Sequence, residues 1–162
     1  MNIFKTSEDP VECARVLADQ HVIKMAVETA QILATALRLH GVEDENLYRA
    51  THKGHPCVLW VSSCRPASEW AFNHGLALCH EYQSRFLKEH GALRQFQVIA
   101  IHGFDVIPNI AMVEAPKCVP EDLRDIPLHD AYRVTLQRKY ATWKRAPRWT
   151  RSSRPEWVES SA

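Results

Sequence analysis

From Asp9 to His40 the chain has no glycine, and no proline after Pro10, so nothing local interrupts a helix there. The start is marked by Asp9 as an N-cap, Pro10 at the first helical position and Glu12 where a capping-box carboxylate would fold back. His40-Gly41 supplies the stop, with glycine at C′. The stretch reads as one long helix, and its pattern is that of a helix buried on most sides. From Val22 to Leu37 it is indeed apolar almost all round.

The polar exceptions are ordered. His21, Lys24, Glu28, Gln31 and Thr35 recur at steps of three and four, which puts them on one stripe of an otherwise apolar helix. Such a stripe needs side-chain partners or a ligand. One reading is a surface edge with a Lys24/Glu28 pair contributing about 0.2–0.5 kcal/mol. The other is a cleft where an amine and a carboxylate do acid–base work, with Glu28, Lys24 and His21 as catalytic candidates.

Further along, Thr51-His52-Lys53-Gly54-His55-Pro56 sets cationic or titratable groups beside a glycine that admits close backbone approach. His52, Lys53 and His55, with Gln31, are the candidate substrate-binding groups; the same residues also fit an exposed turn before a helix begun by Pro56. Pro66 to His90 reads as a second long helix closed by Gly91, with Glu81 and Arg85 as an i,i+4 pair. Leu93 to Ile101 is helix or strand, ended by Gly103. Pro108, Pro116, Pro120 and Pro127 then enforce a long irregular segment with one short helix near Glu121–Asp125. A last helix is expected from Leu128 to about Trp143.

Charge separates the end of the chain from the rest. Residues 133–154 carry eight basic and no acidic groups, although the net charge of the whole chain is only +1. Within them Arg138, Lys139, Trp143, Lys144, Arg145, Arg148, Trp149 and Arg151 interleave cations with aromatics, which suits phosphates and stacked bases. DNA is therefore the expected partner. The alternative is a basic tail docked on the acidic remainder, with the tryptophans as core anchors.

The fold expected is all-α: one compact helical domain, residues 1–154, around the long N-terminal helix, then a polar tail at 155–162. No membrane-spanning run and no secretory leader is visible, so cytoplasmic residence is the expectation. Cys13, Cys57, Cys64, Cys79 and Cys118 contain no C-x-x-C pair and read as reduced thiols. No metal and no cofactor are called for, and the oligomeric state is open.

With these residues in place, the chain resembles the endonuclease V-type pyrimidine-dimer DNA glycosylases, small all-helical phage repair enzymes. The resemblance rests on Leu17-Ala18-Asp19-Gln20-His21 followed by Glu28, at the spacing of that family's catalytic glutamate. It continues in Asp125-Ile126-Pro127-Leu128-His129-Asp130-Ala131 and in Trp143 within the basic segment. The chain is also similar to phage proteins that begin Met-Asn-Ile-Phe and share Thr-His-Lys-x-His-Pro-Cys. The resemblance implies that Glu28 acts on the sugar of the target nucleotide and that His21 belongs to a DNA-facing cleft. Two positions depart from the family. Its nucleophile is the α-amine exposed when Met1 is removed, whereas residue 2 here is Asn2, whose bulk usually prevents removal. Its arginines near the glutamate correspond to Val27 and Gln31. Base excision on a flipped pyrimidine nucleotide, with Lys24 or the N-terminal amine as nucleophile, stands beside base modification by group transfer and beside non-catalytic DNA binding.

Overall fold

Helix α2, Asp19–Leu39, runs through the centre of the molecule, its residues Val22, Met25, Ala26, Thr29, Ala30 and Ile32–Leu37 buried. The computed structural model describes residues 1–158. Around α2 stand α1 (Pro10–Arg15), α3 (Pro56–Ser63), α4 (Arg65–Phe86), α5 (Leu93–His102) and α6 (Leu128–Ala141), with a short 3₁₀ turn at Glu121–Leu123. Among the described residues there is no strand, and no helix is long and apolar enough to cross a membrane. Helix α4 packs across α1, α2 and α3, which makes α2 and α4 the two central members of the bundle.

The expected single helix from Asp9 to His40 is two helices. Asp9 caps the first as expected, accepting a hydrogen bond from Val11 N–H at 2.8 Å, while Glu12 pairs with Arg15 instead of closing a capping box. The chain then leaves helical geometry at Val16–Ala18 although no residue there is a helix breaker. Tertiary partners replace the lost helical bonds. Arg85 of α4 donates to Arg15 O (2.9 Å) and Leu17 O (2.7 Å), and the Tyr140 hydroxyl accepts from Ala18 N–H (3.1 Å). Arg85 also donates to Asp19 Oδ1 (3.1 Å) and, through Nε and Nη2, to Glu81 Oε2 (3.0 and 2.9 Å), so each of its five N–H groups has an acceptor. A periodicity argument does not register a break satisfied from another helix. The far end of α2 matches expectation: Gly41 takes φ +86°, and Gly41 N and Val42 N bond Arg38 O and Leu37 O in a Schellman turn.

Helix α4 stops at Phe86, four residues before the expected end, because Leu87 adopts a left-handed conformation (φ 54°) and bonds back to Gln83 O. His90 then fixes the turn, donating to Ile23 O of α2 at 2.9 Å and accepting from Ala92 N–H at 3.0 Å. Segment 93–102 resolves as helix, and Gly103 ends it at φ 62°. Gly75 of α4 lies against α5 so closely that an added Cβ would meet the Phe96 ring at 2.2 Å.

The proline-rich segment after α5 is irregular as expected but tied down along its length. Pro108 O accepts from Arg65 N–H, Val113 O accepts from Trp60 Nε1, and Tyr132 of α6 donates to Pro116 O and accepts from Cys118 N–H. After α6 the chain folds back over the start of α2. Trp157 packs on the core, Val158 is buried, and the Gln137 side chain donates to the Trp157 carbonyl. Of the expected polar tail at 155–162, residues 159–162 lie outside the described residues.

Replacing Arg85 by Leu strips partners from Asp19, Glu81 and two main-chain carbonyls while leaving the acids in place. Removing one member of a buried ion pair costs about 3–5 kcal/mol, and equilibrium urea unfolding should show a loss of that order. Gly75→Ala forces the buried Phe96 ring aside and should cost about 1–3 kcal/mol, the usual penalty of overpacking, read from the same curves.

Candidate active site and nucleic-acid face

The polar stripe of α2 is covered by the first residues of the chain. Ile3 and Phe4 are buried in the core, so the backbone of Met1 and Asn2 is drawn down onto the helix. There Glu28, its side chain 12% exposed, receives three nitrogens. Asn2 N–H donates to Oε2 at 3.1 Å, the Met1 α-ammonium lies 3.6 Å from the same oxygen, and Lys24 Nζ lies 3.2 Å from Oε1. The carboxylate thus bridges the chain start and the stripe's lysine.

The 51–57 stretch forms one side of this centre. Thr35 Oγ1 donates to Gln31 O (2.7 Å) and accepts from Thr51 N–H (3.1 Å), which fastens the loop to α2. His52 takes φ 48° and accepts the loop's turn bond from His55 N–H, so that His55 becomes the N-cap of α3, its Nδ1 accepting from Cys57 N–H at 3.1 Å. That bond leaves the proton on Nε2, and the ring faces the backbone of Met1. Burial, the α-ammonium and His52 together push His55 below its usual range. His52 and Lys53 are exposed at the rim, and Gln31 is half-buried on the stripe.

His21 lies elsewhere than expected. It is buried within a wall of rings, 5.0 Å from Phe4, 5.5 Å from Tyr140 and 4.9 Å from Trp143 between centroids. Burial, reinforced by Lys139 and Lys24, lowers its pKa to about 4. The imidazole is thus a neutral, buried member of the ring wall and not an exposed group of the stripe.

The basic segment divides into anchors and cations. Trp143 packs on His21 and Tyr140, and Trp149 stands edge-on to Tyr140 while its indole N–H donates to Val16 O at 3.0 Å. Thr150 binds Asp19 through N–H and hydroxyl, and Arg151 donates to Arg85 O. The two half-buried tryptophans therefore help hold the segment down. Arg138, Lys139, Lys144, Arg145, Arg148 and Arg151 stay exposed, with Arg138 paired to Asp122 at 2.7 Å. A depression of about 430 Å³ joins Arg138, Lys139 and Thr142 to Asn2 and Cys118, beside the Glu28 centre. A second, of about 410 Å³, lies between the start of α2 and Arg145 and Arg148. Among the described residues no group of three or more His, Cys, Asp or Glu is arranged to hold a metal ion.

Asn2, Cys118, Tyr132 and Tyr140 were not among the candidate site residues of the sequence. The apolar pair Ile3-Phe4 was the one local sign that the chain start is drawn into the core. Nothing in an irregular segment announces which residue, here Cys118, will reach across to it.

The buried histidines set an acid limit. His21 and His74, whose Nδ1–H donates to Pro10 O, have folded pKa values near 4 against 6.5. The unfolded chain therefore binds more protons between those values, so this stability is complete above pH 6.5 and is lost as pH falls toward 4. For His21 the loss is on the order of 3 kcal/mol. The lowered carboxyls of Glu8 and Asp44 act only below their usual 4.5 and 3.8, leaving pH 6.5–4.5 to the histidines. Urea midpoints should fall across that window; a flat profile would contradict the buried neutral state.

The sequence model of the pyrimidine dimer DNA glycosylase family matches residues 1–94. No curated protein and no solved structure matches the chain. The matched region contains the chain start, Lys24, Glu28, the 51–57 loop and Arg85, and excludes the basic segment. Covering more than half of the 162 residues, it places the chain in the pyrimidine dimer DNA glycosylase family, as a DNA-acting, glycosylase-type protein.

Proposed function

We propose that the protein excises a damaged pyrimidine from DNA, using an amine at the start of the chain as nucleophile and Glu28 as its acid–base partner. The observation that carries this reading is the convergence of Met1 N and Asn2 N on one oxygen of Glu28, at 3.6 and 3.1 Å. Whether Met1 is kept or removed, the terminal amine starts beside the same carboxylate. Lys24 is the less suited amine: its side chain is 67% exposed, far from the desolvated setting that makes a lysine a good nucleophile. Its place at Glu28 Oε1 suits it to hold the carboxylate or meet a phosphate.

In the proposed reaction the target nucleotide leaves the stack and enters the space before Glu28. The neutral amine attacks C1′; a C1′–N bond to the protein forms as the bond to the base breaks, and the base departs with the electron pair and takes up a proton. Glu28 accepts a proton from the attacking nitrogen and returns it to the sugar ring oxygen, which opens the ring to an imine. Abstraction of a proton from C2′ then expels the 3′ phosphate. The exposed cations of α6 and the 144–151 segment would hold the phosphates on either side, which makes binding salt-sensitive.

Glu28→Gln keeps the shape and the Asn2 hydrogen bond but removes the base. General acid–base groups contribute about 10²–10⁴-fold, so single-turnover excision from dimer-containing duplex should fall by that factor with DNA affinity unchanged. Lys24→Ala should keep excision within about tenfold, less than one acid–base group contributes. Undiminished excision by Glu28→Gln would sink the assignment, and loss of folding would return Glu28 to a structural role.

A further inference from the structure

Beside this centre two thiols from distant parts of the chain are in contact. Cys57, on the first turn of α3, and Cys118, in the irregular segment, have Sγ atoms 3.9 Å apart. Both touch Asn2: Cys57 Sγ lies 3.7 Å from Asn2 Oδ1, and Asn2 Nδ2 donates to Cys118 O at 3.0 Å. The remaining three cysteines are buried thiols. Cys118 is half-exposed and lines the 430 Å³ depression, so a small solute reaches it from solvent.

We propose that Cys57 and Cys118 form a redox-active dithiol, oxidised by peroxides to a disulfide, whose state sets the position of Asn2 over Glu28. The chemistry divides between the two sulfurs. The hydrogen bond from Cys57, followed by Tyr132 and the α-ammonium, outweighs burial and brings Cys118 down to about 7, while Cys57 is pushed up and keeps its proton. Cys118, the half-exposed sulfur that lines the depression, is the attacking thiolate, and buried Cys57 is the resolving one. It displaces hydroxide from hydrogen peroxide to give a sulfenic acid; Cys57 sulfur then attacks that sulfur, its proton leaves with the departing oxygen as water, and the disulfide remains. Two thiols and one peroxide become one disulfide and two waters. A thiol reductant reverses the change by exchange.

Closing the gap from 3.9 Å to a bond of about 2.05 Å must move the Cys118 loop, the α3 turn or both, and Asn2 is held by each. The cysteines hold the Asn2 side chain while its main-chain N–H is the group at Glu28, and a misplacement of about 1 Å at a reacting centre costs on the order of 10²-fold. The activity part rests on the excision reading above; disulfide formation does not.

The test treats the full-length protein with hydrogen peroxide and digests it without reductant. Mass spectrometry should find a Cys57–Cys118 cross-linked peptide, two hydrogens lighter than its reduced halves, absent from Cys118→Ser and from Cys57→Ala. Cys13, Cys64 and Cys79 should remain alkylatable. Excision by the oxidised protein should fall at least tenfold and recover with dithiothreitol, and Cys118→Ser should resist the oxidant. Separate oxidation of Cys118 without the cross-link overturns the dithiol. Cross-linked protein of undiminished excision overturns the control of Asn2. If reduced protein does not excise at all, the functional reading has failed, and the peptide map still decides the dithiol.

Discussion

A single buried guanidinium holds the architecture together. Arg85 is fully buried and spends its five donors on Glu81 of its own helix, on two carbonyls at the α1–α2 break, and on Asp19 at the first position of α2. A buried cation is tolerated only when every donor is matched. The matching requires the helix to break at Val16–Ala18. It also fixes where α2 begins, and hence which way its polar stripe points.

The same network fastens the C-terminal segment. Asp19 binds Thr150, Asp19 N–H donates to Arg148 O, and Arg151 reaches back to Arg85 O. Trp149 and Trp143 complete the attachment through Val16, Tyr140 and His21. Arg145 and Arg148 are thereby held around the start of α2. The site and its electrostatic surroundings depend on one clamp, although the family match covers only the first of them.

Much of this was legible in the residues. Asp9, Pro10 and Gly41 mark real helix ends, the three-four spacing of His21, Lys24, Glu28 and Gln31 is a real stripe, and Leu17 to His21 with Glu28 carries the family resemblance that the family match bears out. Illegible were features decided from elsewhere in the chain. The break after Arg15 is made by a residue seventy positions away and leaves no mark on local periodicity. His21 shares the stripe's register but is roofed by Phe4, Tyr140 and Trp143, so its position on the helix gave its direction and not its exposure. The tryptophans among cations are compatible in sequence with stacked bases or with core anchors, and the bond from Trp149 N–H to Val16 O shows an anchoring role that spacing does not reveal.

The central claim is that the amine at the chain start, seated on Glu28, does the chemistry. Borohydride reduction during turnover on dimer-containing duplex fixes any imine as a stable amine, and peptide mapping then identifies the nitrogen. The account predicts an adduct on the N-terminal peptide that persists in Lys24→Ala and is lost when the α-amine is selectively acetylated. An adduct on Lys24, or excision that survives acetylation undiminished, would contradict it.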